Sequence, residues 1–231
     1  LRYAGSGTPI LKLVSVNGAE WTVIEGRWDP QTLVGDAAVR CAYVGPNCMI
    51  SGFTLTHGST RAAGGTDQSS TGGGAWCGPG AVVTHAQLTG NIAASAGGGC
   101  FRGALVNCIL SGNIVLDGIG GGTAFGVLNN CTLAGNQASK GGGAAHATLK
   151  NCIAYFNDAH GNPNHFKSTL TYCITTPQPG QGEGNLTNAP CFADATGWAD
   201  LHLEALSCGI DAGNNAYAIG DTDLDGAPRM V

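Results

Sequence analysis

The chain has 231 residues, of which 39 are Gly and 11% are charged, and its net charge is −5. That length suffices for one large domain or two small ones with a buried core, and the evenly spread Val, Ile and Leu exclude a disordered low-complexity tail. Lys and Arg total 10 without a basic run, which excludes the clustered cations that nucleic acid requires; no apolar stretch reaches the roughly 18–20 residues of a membrane span.

The chain begins abruptly with "LRYAGSG", and no basic segment followed by an apolar core marks a signal peptide. It is read as a processed or truncated piece of something longer. Residues 1–44 are expected to form entry coils, with "WTVIEG" as a strand and turn.

From residue 45 to 176 the sequence repeats. Gly triplets begin at Gly72, Gly97, Gly120 and Gly141, spaced 25, 23 and 21 residues apart. Cys108, Cys131, Cys152 and Cys173 keep the same step, with Ala86 and Phe53 extending that column backwards. Asn91, Asn113, Asn136 and Asn157 follow five residues beyond it. A leucine-rich repeat has a similar period, but it needs several Leu and a helical segment in each repeat. Runs such as "ALVNCIL" and "VLNNCTL" are short strands broken by Gly, with no helical period between them.

These columns predict an all-β chain: a single-stranded right-handed parallel β-helix of about eight or nine coils, roughly 40 Å long at the inter-strand spacing. Equivalent residues then lie above one another. The Cys column and a Leu column (Leu55, Leu88, Leu110, Leu133) face inward. Asn occupies the junction of strand and turn, where it tolerates a left-handed backbone and stacked amides bond along the axis. The Gly triplets serve corners and close approach between coils. The four column cysteines are read as free buried thiols, because parallel side chains suit a disulfide dihedral poorly. Cys41–Cys48 and Cys191–Cys208 are better disulfide candidates, and ten cysteines suit an exported protein.

Candidate chemistry is sparse along this solenoid. Between Gly72 and Cys173 the acids are Asp117 and Asp158, too few for the paired carboxylates of glycoside hydrolysis. A weak catalytic grouping is His57, Arg61 and Asp67 in "HGSTRAAGGTD". Trp76 and Phe101 share one column and are either core or an aromatic strip for carbohydrate contact. "DAHGNPNH" holds His160 and His165 beside Asp158, either a metal or acid–base group or a solvated loop. "TPQPGQGEGNLTNAP" reads as a Pro/Gly loop, and residues from Cys191 onward as the closing segment of the same domain. There "DTDLDG" places Asp221, Asp223 and Asp225 at alternate positions before a Gly. That is either the first half of a Ca²⁺ loop or an Asx-rich closing turn.

"MISGFTLTHG", "GGGAWC", "LVNCILSGN", "LNNCTLAGN" and "LKNCIAYFN", with a tail around "CGIDAG" and "DLDGAPR", resemble bacterial right-handed parallel β-helix surface repeats. These belong, broadly, with the pectin-lyase-like superfamily and with polymorphic outer-membrane or autotransporter passengers. The resemblance spans roughly residues 11–230. It implies a secreted or cell-surface protein. The expected role is non-catalytic: a structural scaffold, an adhesin or a carbohydrate-contacting module, with polysaccharide or cell-surface glycan as partner. The alternative by fold analogy is a polysaccharide lyase or glycoside hydrolase. A further alternative is a filament subunit that associates end to end through unpaired strands.

Overall fold

The computed structural model describes residues 11–64, 67–194, 196–198 and 200–228. The chain winds into a parallel β-solenoid with three sheets along its axis. The principal path of the largest sheet stacks seven strands, from Lys12–Val14 through Val82–Thr89 and Ala104–Ser111 to Thr169–Thr171. A six-stranded sheet runs from Ala42–Val44 to His165–Phe166, and a four-stranded sheet from Ile92–Ala93 to Asp158–Gly161. No described helix is long and apolar enough to cross a membrane.

The expected eight or nine coils are too many. Four coils carry strands on all three faces, and the principal stack contains seven strands. Six spacings of about 4.8 Å give that stack a length of about 29 Å. The shortfall lies at the two ends, where chain segments fold back on themselves instead of going round. Arg27 bridges Val39 and Asp29 bridges Leu33 antiparallel, as do Phe192 with Leu203 and Thr222 with Pro228. Neither end carries the Gly-triplet and Asn columns that turn the chain at fixed intervals.

Two inward aliphatic ladders fill the core. Leu55, Leu88, Leu110 and Leu133 pair in register. Val83, Leu105, Leu128, Leu149 and Leu170 form the second, unanticipated ladder. All nine are fully buried, and burying each such side chain stabilises the fold by about 1.5–3 kcal/mol.

The Cys column lies beside these ladders, with Cys108, Cys131, Cys152 and Cys173 all buried. The Cys131 N–H donates to Cys152 Sγ and the Cys152 N–H to Cys173 Sγ, both at 3.4 Å. At the end of the row the Cys173 N–H donates to Asn185 Oδ1 at 2.9 Å. Burial pushes the Cys131 and Cys173 thiols well up, which keeps them protonated and inert.

The Asn column is a continuous hydrogen-bond ladder. Asn91 donates both its backbone N–H and its Nδ2 to Asn113 Oδ1 at 3.0 Å, and donates Nδ2 to the Leu55 carbonyl at 2.9 Å. Asn113 treats Asn136 in the same way, and Asn136 treats Asn157. Asn164, only seven residues on, completes the ladder by accepting from Asn157. Each amide thereby satisfies buried backbone groups that a solenoid corner leaves over.

At each Gly triplet the first residue is left-handed, as at Gly97 (φ +62°). The second is a contact point between coils: a Cβ on Gly98 would lie 2.5 Å from the Gly121 carbonyl oxygen and 2.6 Å from that of Ile114.

All ten cysteines carry free thiols. Neither expected pairing, Cys41–Cys48 or Cys191–Cys208, is made. Cys41 Sγ donates to Thr56 O at 3.1 Å and Cys48 Sγ to Pro46 O at 3.5 Å. Burial raises the Cys41 thiol to about 11.

Candidate functional site

Trp76 and Phe101 are buried in a cluster separate from the main core, which takes their strand neighbours Ala75, Cys77 and Cys100. The two aromatic residues are 5% and 3% exposed and pack with Ala96 and Ala124. Tyr43 stacks on Trp76 at 4.9 Å with the rings nearly parallel. Burial leaves Trp76 and Phe101 little surface for a sugar, which fits the core alternative, and the exposed column lies one residue further on. Arg102, Phe125, His146 and Lys167 each follow a strand of the six-stranded sheet and all adopt a left-handed backbone (φ 64, 60, 50 and 49°). That conformation turns their side chains to solvent. Phe125 and His146 stack at 5.1 Å with an interplanar angle of 12°.

Of the weak grouping His57, Arg61 and Asp67, the first two engage separate partners. His57 Nδ1 meets Glu25 Oε1 at 3.1 Å, and Trp28 packs edge-on against its ring at 5.0 Å. Arg61 faces Asp36 at 3.9 Å in solvent. The Asp67 side chain lies outside the described residues. His160 and His165 belong to two strands, not one loop. His165 is buried and bonded to the Pro177 carbonyl at 2.9 Å.

A polar groove of about 530 Å³ lies between the outer face of the principal sheet and the closing segment. Its floor carries Thr89, Ser111 and Thr132, outward residues of successive coils. Thr89 and Ser111 are hydrogen-bonded at 3.2 Å. Its wall carries Trp198, Asp200, His202 and Asp225 from the closing segment.

The closing segment is tied to one corner of the solenoid. His85, Asn107, Asn130, Asn151 and Tyr172 occupy equivalent left-handed positions in successive coils. Asn107 Nδ2 donates to the Thr222 carbonyl at 3.0 Å. Asn151 pairs with the Asn214 backbone, and Lys150 Nζ lies 4.5 Å above the Tyr217 ring. Asn130, between them, has a buried Nδ2 without a hydrogen-bond partner. The Trp198 indole covers Gly135, where a Cβ would fall 2.2 Å from the indole nitrogen. Only Gly allows that ring to lie flat on the coil.

His202 joins the two halves of the wall. Its Nδ1 meets Asp200 Oδ1 at 2.5 Å and its Nε2 meets Asp225 Oδ2 at 3.0 Å. The bonds to Asp225 and then Asp200 raise the imidazole above its usual range. The His202 backbone N–H, followed by its ring, holds Asp200 below the usual carboxylate range. Both ring nitrogens are engaged, so neither is free to move a proton at a ligand. Asp223 is occupied as well: its Oδ1 accepts the N–H groups of Asp225 at 3.0 Å and Ala227 at 2.8 Å. Asp221, Asp223 and Asp225 thus do not converge on a common point, and Asp223 and Asp225 are committed to the turn and to His202. Among the described residues no three His, Cys, Asp or Glu side chains gather to hold a metal ion.

The site therefore offers hydroxyls, carboxylates and one indole in fixed positions, a set suited to hydrogen bonding and stacking. Sequence reading missed Trp198 and His202, because neither sits in a repeat; the short segment "GWADLH" between closing turns was the only signal. No protein-family model, curated protein or solved structure matches the chain.

Proposed function

We propose that this chain is a non-catalytic, carbohydrate-contacting β-solenoid scaffold, secreted or displayed at a bacterial cell surface. The observation that carries the reading is the groove, which Trp198 lines together with the bonded Thr89–Ser111 hydroxyl pair and with Thr132, two positions along the sheet from the Ser111 register. Sugars are recognised by this combination of an apolar ring face and fixed hydrogen-bonding groups. The exposed Phe125–His146 stack provides a second surface of similar chemistry on another side of the rod. The repeat text resembles polymorphic outer-membrane and autotransporter passengers, which favours an exported scaffold or adhesin.

A polysaccharide lyase or hydrolase of pectin-lyase-like fold is the competing reading. It requires an acid and a base free to reach the scissile bond. In the groove His202 is bonded through both nitrogens, and Asp200, Asp223 and Asp225 all serve structural bonds. That commitment favours binding over turnover.

The test is a panel of neutral and acidic glycans, with calcium and with chelator, read for both binding and product size. One or more glycans should bind intact, and Trp198→Ala should weaken that binding at least tenfold, about 1.4 kcal/mol. Shortened products would replace the scaffold reading with the enzymatic one. Failure to bind any glycan would remove the carbohydrate role.

A further inference from the structure

The ten thiols fall into two populations. Eight are buried in the solenoid. Two of these, Cys77 and Cys100, approach to 3.8 Å but are fully enclosed. The remaining pair lies in the closing segment, where Cys191 is exposed and Cys208 half-buried. Both of their sulfurs rest on one atom: Cys191 Sγ is 3.6 Å and Cys208 Sγ 3.5 Å from the Ala189 carbonyl oxygen. They are no farther apart than those two distances laid end to end.

The chain around them is already folded into facing arms. Phe192 bridges Leu203 antiparallel. The Glu204 N–H donates to the Cys191 carbonyl at 2.9 Å, and Ser207 Oγ donates to the Pro190 carbonyl. These bonds hold the arm bearing Cys191 against the arm leading to Cys208. Most of the ordering needed to bring two thiols together is done by the fold.

We propose that Cys191 and Cys208 form a redox modification site, closed by a low-molecular-weight disulfide into an intramolecular bridge. The exposed Cys191 reacts first. Its thiolate attacks one sulfur of the reagent, forming a mixed disulfide and releasing one reagent thiol. The Cys208 thiolate then attacks Cys191 Sγ, forming the Cys191–Cys208 bond and releasing the second reagent thiol. The two protein thiols are oxidised by two electrons, the reagent disulfide is reduced, and the two thiol protons end on the released thiols.

The bridge has a structural consequence. The ring it closes contains Trp198, Asp200 and His202, three of the four residues of the groove wall. In the dithiol form that wall is held by turns, by His202 and by the contact of Trp198 on Gly135. Oxidation adds a covalent clasp at its base. The chemistry of the bridge is independent of any glycan, so it stands or falls separately from the proposed function.

The experiment equilibrates the intact protein with oxidised and reduced glutathione, quenches with an alkylating reagent and maps cysteine-containing peptides by mass spectrometry. Peptides bearing Cys191 and Cys208 should be recovered joined, with the other eight thiols alkylated only after unfolding. In Cys208→Ser, glutathione should remain trapped on Cys191. Oxidation should slow protease cleavage between residues 192 and 207 at least tenfold in the native sequence but not in Cys208→Ser. Recovery of both cysteines as separate alkylated or glutathionylated peptides in the native sequence, or joined to other partners, would overturn the site. A bridge that leaves the cleavage rate unchanged would overturn its role as a clasp.

Discussion

Asn151 reads the backbone of Asn214 as one peptide group reads another. Its Nδ2 donates to the Asn214 carbonyl and its Oδ1 accepts the Asn214 N–H, both at 2.9 Å. The two residues are 63 positions apart, and this reciprocal pair docks the closing segment on the solenoid. Asn151 has φ of 50°, so Gly at this position keeps the backbone and removes only the amide. Asn151→Gly should leave the β-sheet signal and the main unfolding transition nearly unchanged. It should raise amide exchange and proteolysis across residues 209–218, consistent with losing about 1–3 kcal/mol of local bonding. Unchanged exchange there would mean that Lys150 and Tyr217 hold the segment without it.

The Asn ladder concentrates buried polar groups at the core's edge. Asn136 accepts from the backbone and side chain of Asn113 and donates to Asn157 Oδ1 and the Leu110 carbonyl. Asn136→Leu removes all of these at a fully buried position. Several donors and acceptors are left without water or partner, each unpaired group costing about 1–3 kcal/mol. Denaturant titration should show a loss of about 3 kcal/mol or more. A loss below about 1 kcal/mol would mean that neighbouring coils relax to restore the bonds.

What the sequence made legible was whatever recurs. The Cys, Asn and Gly columns are visible as spacing, and stacked parallel coils are the physical cause of that spacing. The facing of Trp76 and Phe101 was not legible. Four of the six strands of that sheet are followed by a left-handed residue, and that puts the exposed ring at Phe125, one step after the buried column. Asn164 was missed because it enters the ladder after seven residues, not a full coil. The wall of the groove was hidden for a related reason. His202 and Asp225 meet across a non-repeating tail, and no periodicity relates positions 23 apart that occur once. The coil count failed where the columns stop, since antiparallel bridges at both ends use chain length without adding a full turn.

Gly98 and Gly112 separate two reasons for glycine. Gly112 is left-handed (φ +61°), and a Cβ added there would meet nothing within 4 Å, whereas one on Gly98 would strike two backbone carbonyls at 2.5 and 2.6 Å. Gly112→Ala should cost about 1–2 kcal/mol, the strain of a left-handed Ala. Gly98→Ala should cost about 3 kcal/mol, because the carbonyls it strikes belong to two coils and withdraw only if the stack parts. Thermal melts of the two variants give the comparison directly. Equal shifts would show that space between coils is not what fixes the Gly triplet.

The Asp200–His202–Asp225 clasp makes the groove wall sensitive to pH. The folded imidazole is raised by its two carboxylate bonds, and Asp200 is lowered. A raised His contributes stability that is fully present below its unfolded value and lost as pH climbs through the folded one. A lowered Asp contributes above its unfolded value and loses its contribution as pH falls through the folded one. The clasp is therefore strongest at mildly acidic pH, between the carboxylate and imidazole titrations, and loosens on the alkaline side first. Hydrogen exchange of residues 200–203 and 223–227 should be slowest in that window and faster at alkaline pH, after correction for the intrinsic pH dependence of exchange. His202→Gln, which retains hydrogen-bonding capacity without the charge, should flatten the profile. Persistence of the profile in that variant would move the titrating group away from His202, whereas its loss would make the wall of the groove a single electrostatic unit centred on this ring.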